Sequence, residues 1–149
     1  MKTRVCVISS CGGHLTEVRD LRPADPQFEY VFVINDKTRA LEATAGRVYF
    51  VAHSERDWKF LLNLVEAWRI LRVERPTVLI STGAGVIVPF SLVGRLCFGT
   101  RVIFVETITR LSAPSLTARL MYYLADEFYF QWGGLKSYFP KGTCVEFPI

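Results

Sequence analysis

The sequence predicts an α/β fold, a Rossmann-like parallel sheet with helices on both faces. Three observations lead there. Strand-like apolar runs alternate with helix-like segments from end to end, the pattern of βαβ units. The runs are nearly continuous in Val, Ile, Phe and Tyr, as strands covered on both faces require. The first run is followed by Gly12-Gly13 and a helix-like segment, a turn that lets main chain and ligand approach closely.

The strands read as residues 4–9, 30–34, 47–51, 77–80, 101–105 and 127–130. Pro23 and Pro26 close the first helix, and Asp36 caps a short second one. The third helix, residues 57–72, carries a polar stripe of Lys59, Asn63, Glu66 and Arg69. Phe60, Leu61, Leu64, Trp68 and Leu71 form its apolar face, expected to pack on the sheet. Pro76 ends that segment and hands over to the fourth strand. The helix at residues 86–98 is apolar nearly all round, with Ser91 and Arg95 as exceptions. Such a helix is buried, packed on a partner or dipped into lipid. With no repeat, linker or low-complexity stretch, residues 1–149 read as one domain, long enough to bury a core.

Half of the 149 residues are hydrophobic and the mean hydropathy is +0.24. That surplus points to apolar surface kept for a partner or a bilayer. No apolar run reaches the roughly 18 residues of a spanning helix, and the N-terminus lacks the small-residue cleavage site of a signal peptide. The net charge of +4 suits an anionic membrane face or a phosphorylated ligand. Dispersed basic residues argue against nucleic acid. Cys6, Cys11, Cys97 and Cys144 form no CxxC pair, which reads as buried reduced thiols in a cytosolic protein and argues against a zinc site. No metal or cofactor is expected.

Ligands of parallel α/β sheets sit beyond the carboxyl ends of the strands. After the first strand come Ser9, Ser10, Cys11, Gly12, Gly13 and His14. The glycines and the following helix start favour an anion, and His14 can exchange a proton near neutral pH. There is no G-x-G-x-x-G and no P-loop, so neither the dinucleotide nor the nucleotide-phosphate fingerprint is present. After the fourth strand, Ser81-Thr82-Gly83-Ala84-Gly85 offers hydroxyls and backbone N–H groups. It reads as a phosphate or sugar cradle, or as a close helix–strand crossing. After the fifth, Glu106 needs a buried partner or a substrate. Arg110 is a candidate for pairing with it or with a phosphate.

These pieces together carry a family resemblance. The stretch from Ser9 to Glu17, the turn from Ser81 to Gly85, and Phe104-Val105-Glu106 with Arg110 resemble the bacterial exopolysaccharide glycosyltransferase subunits of the PssD and EpsE type. Pro114-Ser115-Leu116-Thr117, Leu124-Ala125-Asp126, Gln131-Trp132 and Tyr138-Phe139-Pro140 match as well, in the family's order. That family is related to the eukaryotic subunit that anchors the second N-acetylglucosaminyltransferase of the dolichol pathway. The resemblance implies the N-terminal, acceptor-binding half of a GT-B glycosyltransferase, similar to that half of MurG. The donor-binding half is then a separate polypeptide, the acceptor a polyprenyl-diphosphate-linked glycan, and the complex sits on the inner face of the cell membrane. The residues themselves offer His14 as general base, with Glu106 orienting it or holding an acceptor hydroxyl. Ser10, Gly12, Gly13, Thr82, Gly83, Gly85 and Arg110 would bind the acceptor, and Val86, Ile87, Phe90, Val93 and Phe98 would face the membrane. Two departures from the family pattern are Cys11 in place of a smaller residue and a tail without glycine near the last strand. The rival readings are a non-catalytic anchoring module for a self-sufficient transferase and a small nucleotide-binding α/β enzyme.

Overall fold

The computed structural model describes residues 2–10, 26–35, 47–52 and 58–145. Seven strands form one sheet: β1 Thr3–Ser9, β2 Phe28–Asn35, β3 Arg47–Val51, β4 Val78–Ser81, β5 Arg101–Val105, β6 Glu127–Phe130 and β7 Thr143–Cys144. Their order is β3-β2-β1-β4-β5-β6-β7, and every neighbouring pair is parallel. All six expected strands are present. β2 is longer at both ends, and β4 is shifted by one residue, so Ser81 closes the strand instead of opening the turn. The two-residue β7 has no apolar run to announce it. The first two expected helices, with Pro23 and Asp36, lie outside the described residues.

The described helices are α1 Lys59–Glu74, α2 Ile87–Phe98 and α3 Leu116–Leu124. Alternate strand residues send side chains to opposite faces. On one face Cys6, Ile8, Val33, Leu79, Val102 and Phe104 join Ala67 and Leu71 of α1, Phe90 of α2 and Met121 of α3 in a single core. On the other face Val7, Phe32 and Ile34 form a second cluster. The core runs so close between α2 and β4 that a Cβ added to Gly94 would lie 2.9 Å from Leu79 Cδ1. At that position glycine is a packing requirement.

Helix α1 is rotated from its sequence expectation: Leu71 is buried and Lys59 and Arg69 are exposed as expected, but Asn63 turns inward and Leu61 and Trp68 outward. Its inward stripe is Asn63, Ala67, Ile70, Leu71 and Glu74. Leu61, Leu62, Val65 and Trp68 are exposed, as is Trp58 just before the helix. The reason is the backbone at the end of β3. The Ala52 carbonyl accepts from Asn63 Nδ2 at 3.0 Å, and its N–H meets the Glu66 carboxylate at 3.3 and 3.4 Å. Asn63 also donates to Glu66 at 2.8 Å. Buried backbone groups must be paired, and the polar stripe supplies the partners.

The apolar helix α2 packs by burying Val86, Ile87 and Phe90 in the core. These three residues, expected at the membrane, face the sheet, while Val93 and Phe98 are half-buried against the same core. No helix among the described residues is long and apolar enough to cross a membrane. The thiols also differ from expectation: Cys6 is buried, but Cys97 and Cys144 are free and exposed. Burial pushes the Cys6 thiol far up, leaving it inert.

Glu74 ends α1 with its carboxylate fully buried, beside the negative end of the helix dipole. Two arginines and a tyrosine neutralise it. Arg47 Nη1 lies 3.0 Å away, Arg4 Nη1 3.5 Å, and the Tyr49 hydroxyl donates at 2.5 Å. Glu29 bridges the same arginines at 2.8 and 2.9 Å, and the bond from Arg4 holds its carboxyl below the usual range.

The hydrogen bond to Glu74 raises the Tyr49 pKa above the ordinary tyrosine value. A raised folded pKa gives stability that is present below about pH 10 and lost as pH climbs through the raised value. Tyr49→Phe should therefore cost about 1.5 kcal/mol near neutral pH by urea unfolding. The wild-type and variant stability curves should converge at strongly alkaline pH.

Candidate functional site

The strand order reverses between β1 and β4, and such a switch point is where parallel α/β sheets hold ligands, in the crevice beyond the strands' carboxyl ends. Ser9 and Ser10 form one wall. Ser9 is buried and donates from Oγ to the Ser10 carbonyl at 2.8 Å. The chain then runs on to Gly12, Gly13 and His14, which lie outside the described residues.

The other wall is the turn from Ser81 to Gly85. Ser81 and Thr82 are buried, so their hydroxyls stay inside the protein. Ser81 Oγ accepts the Gly83 N–H at 3.4 Å. Gly83 sits at φ 130, a conformation that disfavours any side chain. Gly85 is exposed, with open space where a Cβ would stand. The turn then enters α2, whose first bonds run from Ile87 N to Ala84 O and from Val88 N to Gly85 O. It thus presents backbone N–H groups at a helix start, and not the hydroxyls expected from its composition.

Glu106 lies just past β5 at the same edge and is fully buried. Its carboxylate accepts from Thr107 N at 3.1 Å, Ser115 N at 3.0 Å and Ser115 Oγ at 3.1 Å. The buried partner that the sequence demanded is therefore Ser115, and Arg110 is exposed. Ser115 in turn caps α3 by accepting from Ala118 N at 3.0 Å. The intervening loop is held at two further points. Trp132 Nε1 donates to the Ile108 carbonyl at 2.7 Å, and a Cβ on Gly134 would meet the Leu111 carbonyl at 3.1 Å. Sequence reasoning assigned no role to Ser115 or Trp132. A serine three residues ahead of Ala118 at a helix start is an N-cap pattern, and it was the available signal for Ser115.

Two other arginines are committed elsewhere. Arg95 pairs with Asp126 and donates to the Leu124 carbonyl, and Arg101 pairs with Glu127 at 2.6 Å. Together with Gly99, Thr100 and Asp126 they line a cavity of about 480 Å³ at the amino edge of the sheet, away from the crevice. Arg119 stacks over Tyr138 at 5.9 Å.

The profile of the family described as "Oligosaccharide biosynthesis protein Alg14 like" matches residues 51–146, more than half of the chain. The chain belongs to the Alg14-like family. A curated relative, the UDP-N-acetylglucosamine transferase subunit ALG14 of Saccharomyces cerevisiae, is 37% identical over 43 residues. That match covers 28% of this chain and 18% of the yeast protein. Among solved structures, MurG of Acinetobacter baumannii superposes with a TM-score of 0.70 at 14% identity, over 99% of this chain and 43% of MurG. A UDP-N-acetylglucosamine 2-epimerase of Rickettsia bellii gives 0.71 at 11% identity, over 94% and 42%. These superpositions show the fold. This Alg14-like chain spans less than half the length of each of these relatives.

Gly83→Ala would force a side chain into a left-handed backbone position, at roughly 1–3 kcal/mol. The variant should melt several degrees lower by circular dichroism, whereas Gly85→Ala, with open space around it, should cost far less.

Proposed function

We propose that this chain is the acceptor-binding, membrane-recruiting subunit of a two-component glycosyltransferase. The enzyme would move a sugar from a nucleotide-sugar to a polyprenyl-diphosphate-linked glycan in exopolysaccharide or capsule synthesis. One observation carries the reading: the switch-point crevice and an aromatic, lipid-compatible helix face share one edge of the sheet. α1 starts just after β3, so Trp58, Leu61 and Leu62 stand at the carboxyl edge, where the crevice opens. Their exposures are 69%, 65% and 42%, and Val65 follows at 48%. Arg69, Arg72 and Arg75 are exposed further along, with Arg72 4.9 Å from the Trp68 ring. An apolar, tryptophan-bearing face flanked by arginines suits the interface of an anionic bilayer. This face replaces α2 as the membrane contact.

Burying such half-exposed side chains is worth on the order of 1–2 kcal/mol each, and each arginine near an anionic surface adds about 1 kcal/mol. The lipid diphosphate would then reach the backbone N–H groups of the Ser81–Gly85 turn and the Gly12-Gly13 turn. His14 takes the proton from the acceptor hydroxyl in this reading. In this reading a donor-binding companion subunit holds the nucleotide-sugar.

Two measurements test the proposal. Trp58→Ala/Leu61→Ala/Leu62→Ala should weaken sedimentation with phosphatidylglycerol vesicles at least tenfold, and unchanged partition would refute the membrane role. The chain alone should transfer no sugar and should do so when mixed with its donor-binding companion, with His14→Ala abolishing the gain. Full transfer by the isolated chain would end the split-enzyme reading.

A further inference from the structure

We infer that Glu106 is a positioning residue, and that through Ser115 it fixes the 107–114 loop as the wall that meets the diphosphate of the acceptor. This deepens the reading above and rests on it.

The starting point is the internal pairing of the carboxylate. Glu106 is fully buried, and both of its oxygens receive hydrogen bonds from within the chain. A group that takes a proton from a substrate needs a free lone pair within about 3 Å of it. Here Thr107 N, Ser115 N and Ser115 Oγ take three of the roughly four lone-pair sites, and full burial separates the carboxylate from solvent. The two ends of the loop, Thr107 and Ser115, are the groups bonded, so the carboxylate closes the loop as a staple.

The staple works in series with a helix. Ser115 Oγ donates its proton to Glu106 and accepts the Ala118 N–H, so the rotamer that satisfies the carboxylate also caps α3. The loop interior is ordered as well. Thr107 Oγ1 lies 3.3 Å from Thr109 Oγ1, the Arg110 N–H closes a turn on the Thr107 carbonyl at 3.1 Å, and Trp132 holds Ile108. Arg110 is exposed at the tip of this pinned loop.

The loop leaves β5 at the edge where the Ser81–Gly85 turn leaves β4, and the two strands are hydrogen-bonded neighbours. The crevice gains from it a guanidinium fixed by its backbone, suited to two phosphate oxygens. A charged residue held in place loses less entropy on binding than one on a free loop.

The experiment uses the full chain and farnesyl diphosphate in detergent micelles as the probe. Hydrogen exchange by mass spectrometry reads the loop, and titration reads binding. Glu106→Gln and Ser115→Ala should each speed exchange across residues 107–114 at least tenfold, with α1 unchanged, and weaken the probe about three- to tenfold. Ser115→Thr, which keeps the hydroxyl, should restore both, and Arg110→Ala should weaken binding without loosening the loop. Weakened binding in Glu106→Gln with loop exchange at the wild-type rate would mean direct contact with the ligand and would overturn the inference. So would a loosened loop with full affinity. A wild-type chain that ignores farnesyl diphosphate would instead sink the acceptor reading itself.

Discussion

Strands that all run the same way release their connections at one edge, and everything functional here follows from that constraint. Seven parallel strands with a reversal between β1 and β4 bring the ends of β1, β4 and β5 together. Residues far apart in the chain, Ser10, Gly83 and Glu106, are brought to one edge by the strand order itself. The same constraint sets the start of α1, because the crossover from β3 to β4 must begin at the carboxyl edge and return to the amino edge. The two edges are chemically distinct. The amino edge is stitched by ion pairs among Arg4, Glu29, Arg47 and Glu74, while the carboxyl edge presents the small-residue turn from Ser81 to Gly85 beside exposed Arg110 and Trp58.

Buried charge is handled by local pairing at both edges. Glu74 faces the unfavourable end of a helix dipole and is met by guanidinium groups and a phenol. Glu106 lies ahead of α3, where neutral N–H and hydroxyl donors suffice. Removing one partner from either leaves a desolvated carboxylate, which is far costlier than losing an exposed ion pair. Each cluster therefore fixes backbone geometry: one locks the amino ends of β1, β2 and β3 to the end of α1, the other locks a loop.

Much of the architecture was legible in the residue pattern. Continuous runs such as Val5-Cys6-Val7-Ile8 and Arg101-Val-Ile-Phe-Val105 announce doubly covered strands, and the structure places them in the middle of the sheet. The rotation of α1 was not legible. A polar stripe ordinarily faces water, and nothing local reveals that Asn63 and Glu66 are needed by the backbone of Ala52. β7 escaped because two residues carry no periodicity. At the site, the glycine turn and Glu106 were visible, but composition overstated the hydroxyls of Ser81 and Thr82, which are buried. The role of Ser115 depends on a partner nine residues earlier, beyond the reach of helix or strand spacing.

Helix α1 has one more implication. Its rotational setting comes from two inward polar side chains gripping a single main-chain unit, and its outward aromatic and aliphatic groups make no contribution to that grip. The proposed docking face and the residues that set the fold are thus separate parts of the same helix. Changes in the outer row can therefore alter what the helix meets while Asn63, Glu66 and Ala67 hold the frame in register.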